Sequence, residues 1–186
     1  MAPGNAMRLF TLNFRLLAAA ACALAGLAML ACSPTLNWRD VRPEGTNLGL
    51  LLPCKPDKTQ RTVPLGGKPT VLRMLSCDAG GLTFAIAAAD VGSADQTPGV
   101  LQAWQQLTLA NMKARRADTV KALKLVGQPA VPAVWVKASG QRADGTAVVG
   151  HAAYFAQGST VFQAVIYGAN VDADIAETFF SGMKFD

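Results

Sequence analysis

One histidine, His151, occurs in the 186 residues. That scarcity excludes metal centres built on several imidazoles, and the absence of any C-x-x-C pair excludes the usual zinc knuckles. No G-x-S-x-G elbow is present. Gly66-Gly67-Lys68 lacks the leading Gly and the following Ser/Thr of a phosphate loop, so it reads as a turn. The dense oxygen ligands of a calcium loop are missing around Asp172 and Asp174, where acids suit the start of a helix. Asp90 and Asp95 flank a loop with nothing to pair them. There is no Lys/Arg stripe with interleaved aromatics, and a formal charge of +5 is small for a nucleic-acid footprint. No cofactor, metal site or nucleic-acid partner is expected.

The N-terminus is informative. Arg8 and Arg15 stand in a first segment without acids, and residues 16–31 form an uncharged run rich in Ala and Leu. A basic n-region followed by an apolar h-region is the layout of a secretory signal. The run falls short of the roughly 20 residues a spanning helix needs. Met29-Leu30-Ala31-Cys32 resembles the bacterial lipobox, with Met29 in the place usually held by Leu. The resemblance implies cleavage before Cys32, a diacylglycerol on its thiol and an acyl chain on its new amine. Each buried CH₂ contributes about 0.8 kcal/mol, so several chains on one residue make a firm membrane anchor. Ser33 in place of Asp implies the outer membrane under the family's sorting rule. Two competing readings are an uncleaved N-terminal helix and modification at Cys22, the latter leaving a very short h-region.

Removing residues 1–31 lowers the formal charge from +5 to +3, through loss of Arg8 and Arg15, and leaves material for one domain. Cys54 and Cys77 remain in the exported part. In an oxidising compartment such a pair is expected to form a disulfide, the alternative being two separately buried thiols.

Residues 32–46 read as a lipidated tether, broken by Pro34, Pro43 and Gly45, in which Trp38 is expected to pack on the domain edge. From residue 47 the sequence alternates strands and turns. "NLGLLLPCKP" reads as a strand closed by prolines, and "KTQRTVPLGG" as a short extended piece. "PTVLRMLSC" and "LTFAIAAAD" form a hairpin across Asp78-Ala79-Gly80-Gly81. The second of these is apolar on both faces, one of them nearly all Ala, which suits close approach by a helix. Thr97-Pro98 reads as the N-cap and first residue of a helix running to about Ala117. Lys113, Arg115 and Arg116 would be its solvated end. "DTVKALKLVG" fits a short helix or a strand. Three further strands follow: "AVPAVWVKAS", "AVVGHAAYFA" and "TVFQAVIYG". A last helix is expected from about Asp172 to Gly182.

Strands apolar on both faces imply a sheet covered on both sides. The expected class is α+β, a mostly antiparallel sheet with helices on both faces. The pieces "GLLLPCKP", "VLRMLSCDAGGLTFAIAAAD", "GSTVFQAVIYG" and "AETFFSGMKF" resemble the PsbP-like α/β/α sandwich over residues 47–186. The resemblance implies a non-enzymatic adaptor or assembly module and maps no ligand site. The combined expectation is a lipid-anchored envelope protein, on the outer membrane and facing the periplasm, that binds another envelope protein. The alternatives are a periplasmic hydrolase using His151, and a carrier of small apolar ligands or lipids with its pocket between the 98–117 helix and the alanine face. A hydrolytic triad would need Ser and an acid beside His151, and Ser159 lies in the next turn.

Overall fold

The computed structural model describes residues 35–127 and 131–186. The expected leader at 1–31, Cys22 and the lipidation candidate Cys32 lie outside the described residues. Within them the chain order is β1 (Arg39–Val41), β2 (Leu48–Leu52), β3 (Asp57–Leu65), β4 (Lys68–Ala79), β5 (Leu82–Asp90) and α1 (Thr97–Asn111). Then come β6 (Thr119–Leu123), β7 (Val131–Gln141), β8 (Ala147–Gln157), β9 (Thr160–Gly168), α2 (Ala173–Ser181) and β10 (Lys184–Phe185).

Seven strands form one antiparallel sheet in the order β3-β4-β5-β9-β8-β7-β6, and β1-β2-β10 form a second, small one. The β4–β5 hairpin turns through Gly80 and Gly81, both at positive φ, as a two-residue turn between twisted strands requires. Period-2 alternation then divides the core. Phe84, Ile86 and Ala88 of β5 join Leu48, Leu50, Leu52, Phe179 and Phe180 in one cluster. Ala85, Ala87 and Ala89 pack with Val100, Leu101 and Trp104 of α1 in another. Alanine's small side chain lets α1 lie close to the sheet there.

The expected α+β class with helix layers on both faces is corrected. The described chain is mostly β, with two antiparallel sheets and only two α-helices, of 15 and 9 residues. Strands that are apolar on both faces do report a covered sheet. They do not report what covers it, and here much of the cover is β-structure. Leu48–Leu52 pairs with β1 on one edge and with the C-terminal β10 on the other. An ion pair between Arg42 and Asp186 helps hold the C-terminus there.

Three local expectations are corrected as well. Residues 39–41, read as tether, form a strand of the small sheet. Trp38 meets Phe84 edge to face at 6.1 Å, and the Asn37 N–H donates to the Pro53 carbonyl at 2.8 Å, so the fold begins before residue 47. Helix α1 stops at Asn111 rather than near Ala117: Lys113 takes φ +52°, and Arg115 and Arg116 are exposed in the bend beyond it. Thr97 lies inside the helix instead of capping it, its hydroxyl donating to the Ala94 carbonyl at 2.8 Å. The residues left open between helix and strand, 119–123, form β6. Helix α2 starts as expected, with Asp172 Oδ1 accepting from the Asp174 and Ile175 N–H groups at 2.8 and 3.3 Å.

Cys54, just past β2, and Cys77, in β4, are joined by a disulfide with Cα atoms 6.0 Å apart. It ties the small sheet's exit to the large sheet.

Candidate functional site

His151 sits in β8 directly opposite Lys137 of β7, while Trp135 of β7 stands opposite Lys121 of β6. Residues two apart on a strand share a face. Lys121, Trp135, Lys137 and His151 therefore gather on one side of the β6–β7–β8 end of the sheet. The start of α2 crosses above them, bringing Ala173, Ala176 and Glu177. Between them is a cleft of about 210 Å³.

His151 as a residue is 7% exposed. The Trp135 indole N–H donates to its Nδ1 at 3.3 Å. Because indole can only donate, Nδ1 accepts, and the neutral ring carries its proton on Nε2. Nε2 is buried and makes no hydrogen bond. Burial, and then the positive charges of Lys137 and Lys121, push the His151 pKa down to about 4. The ring is neutral at physiological pH. Lys121 lies with its Nζ 3.6 Å from the centre of the Trp135 ring and 3.6 Å from Glu177 Oε2. Trp135 in turn rests on Phe180 at 4.5 Å, which seats the indole against the core.

The arrangement does not make a hydrolytic triad. Ser159 lies in the turn beyond the end of β8, past Gln157, which is six strand residues from His151, roughly 20 Å at about 3.3 Å per residue. Asp90 does meet Ser159: the Gly92 N–H at 2.8 Å and the Ser159 hydroxyl hold the Asp90 carboxyl below the usual carboxylate range. His151 is not with them. Asp95 lies in a short 3₁₀ turn, Asp172 is spent on the helix cap, and Gly66-Gly67-Lys68 makes the β3–β4 turn. Among the described residues no group of three or more His, Cys, Asp or Glu is placed to hold a metal ion.

A second groove of about 390 Å³ runs beside the C-terminal half of α1, with Leu107, Met112, Gln163 and Tyr167 in its walls. Gln163 Nε2 donates to Thr108 Oγ1 at 2.7 Å and to the Tyr154 hydroxyl at 3.1 Å. Burial raises the Tyr167 pKa, keeping that phenol protonated. The alanine face itself is filled by α1, so the groove opens further along the helix than the sequence suggests.

Sequence reasoning singled out His151 and missed Lys121, Lys137 and Glu177. Strand alternation carried a partial signal, since Trp135 and Lys137 fall two apart.

No protein-family model matches the chain, and no curated protein matches it. Among solved structures, it is similar to a protein from Bacteroides thetaiotaomicron (15% identity over 75% of this chain and 45% of that one, TM-score 0.43). It is also similar to a protein of unknown function from Pseudomonas aeruginosa (16% identity, 75% of this chain and 88% of that one, TM-score 0.42). The chain thus spans less than half of the first of these. At such identity and TM-score neither assigns an activity.

Proposed function

We propose that this chain is an exported lipoprotein of the bacterial envelope whose domain is a non-catalytic binding module. The observation that carries the reading is the Cys54–Cys77 disulfide downstream of the Met29-Leu30-Ala31-Cys32 motif. Disulfides persist in oxidising compartments, and the motif supplies both an export signal and an anchor. His151 Nδ1 accepts from the Trp135 indole instead of meeting a carboxylate, and its Nε2 bonds to no hydroxyl, which favours binding over hydrolysis. Asn37 is already tied to Pro53, so five Cα steps separate Cys32 from the fold. At about 3.5 Å per step the covalent link from a lipidated Cys32 to Asn37 could reach no more than about 18 Å.

Intact mass of the membrane-extracted protein tests this. The expected mass lacks residues 1–31, carries acyl chains and is two hydrogens short of the reduced form. A cytosolic protein at its full translated weight refutes it. A second reading, a carrier of small apolar ligands, is favoured by the groove along α1; native mass spectrometry showing ligand released on denaturation would support it.

A further inference from the structure

We infer that the cleft between the β6–β8 end of the sheet and α2 binds a small monocarboxylate with a short apolar body. Its donor is the His151 Nε2–H, on a residue 7% exposed whose other ring nitrogen is taken by Trp135. Buried N–H groups without an acceptor are rare in native proteins. This one belongs to a side chain that lines a cleft.

Charge narrows the ligand. Three charged side chains line the cleft: Lys121, Lys137 and Glu177. Glu177 Oε2 lies 3.6 Å from Lys121 Nζ and balances it. Lys137 has no ion-pair partner among the described residues, which leaves one positive charge in surplus. A single negative group accepting from Nε2–H and facing Lys137 completes both. A dianionic phosphate would carry charge that the cleft does not match, and a cation would be repelled by the surplus lysine.

Shape and lining set the remainder. Trp135, Ala173 and Ala176 offer apolar surface. A volume of about 210 Å³ is below the roughly 300 Å³ at which drug-sized pockets begin. It suits a short-chain or single-ring acid and excludes a nucleotide or a folded peptide segment. The inference deepens the binding reading but does not depend on the anchor, so the mass measurement and the test below fail independently.

The test is a titration of the full chain, with ¹⁵N-labelled histidine, with sodium butyrate and sodium benzoate. Sodium chloride and inorganic phosphate at matched ionic strength are the comparisons. With one histidine in the chain, the ring ¹⁵N signals belong to His151. The expected result is a saturable shift of the Nε2 resonance with at least one carboxylate, stronger than with phosphate and absent with chloride. Lys137→Gln, at an exposed position, should weaken binding by about tenfold while leaving the amide spectrum folded. His151→Phe should abolish it, read through the Trp135 indole signal. Shifts that stay linear in concentration, that chloride reproduces, or that Lys137→Gln leaves unchanged overturn the inference. Phosphate binding as tightly as either acid overturns the carboxylate assignment.

Discussion

Acid should weaken this fold through His151 before any carboxylate contributes much. The unfolded chain takes up a proton near pH 6.5, while the folded protein takes it up only near about 4, because the ring is buried and two lysines stand near it. Between those values the unfolded state binds more protons, so stability falls as pH falls through that window. Fully expressed, a separation of about 2.5 units at about 1.36 kcal/mol each is about 3.4 kcal/mol. Only part of it develops between about pH 7 and about pH 5. The lysine share is screened by salt, because Lys121 and Lys137 are exposed. The expected loss over that interval is about 1.5 kcal/mol. Urea unfolding followed by tryptophan fluorescence measures it. His151→Phe is the comparison: it costs stability at every pH by stranding the Trp135 N–H, but it removes the titration. The wild type should lose about 1.5 kcal/mol between those pH values while the variant changes by less than about 0.5 kcal/mol. The wild type and His151→Phe falling in parallel, or an NMR-measured His151 pKa near 6.5, would refute the reasoning.

Three other perturbations have definite signs. Removing the disulfide with Cys54→Ala/Cys77→Ala should cost about 3 kcal/mol, since the bond closes a loop of sequence separation 23; denaturant unfolding checks it, and a loss below about 1 kcal/mol would contradict it. Gly140→Ala would drive a Cβ into the Met112 carbonyl oxygen, which accepts from Gln141 N–H at 2.7 Å, so a loss of about 3 kcal/mol is expected in thermal unfolding. Asp172→Ala removes the acceptor for two N–H groups at the start of α2 and should cost about 1 kcal/mol in the same assay, with Asp172→Asn recovering most of it.

Local chemistry made most elements legible. Gly80-Gly81 fixed the central hairpin, Asp172 announced α2, and the alternation of β5 announced two apolar faces. What failed was the identity of the cover. Leu48–Leu52 and Lys184–Phe185 are 132 residues apart at their nearest ends (184 − 52), and no local pattern says that they pair to form part of a second sheet. Nor does the run ending in Lys113, Arg115 and Arg116 show where α1 must stop. That is set by Met112, which is buried and whose carbonyl is claimed by Gln141 from β7.

The cleft was hidden for a different reason: it depends on register, and register depends on the exact centre of a turn. In the sequence, Gly140 and Gly145 bracket the stretch between the two strands; a turn spanning them would be centred between Arg142 and Ala143 and would set Val134 opposite His151. The observed hairpin is centred on Asp144, whose carboxylate accepts from the Thr146 N–H at 2.9 Å and from its hydroxyl at 2.7 Å, and this sets Lys137 opposite His151. A shift of one and a half residues in that centre replaces a cation beside the imidazole by a valine. The ring would then lose the nearby positive charge that helps depress its pKa, and the cleft would lose the unmatched cation that selects an anion. The ligand chemistry of this site is therefore written partly in the Asp144–Thr146 turn, which touches no part of the cleft.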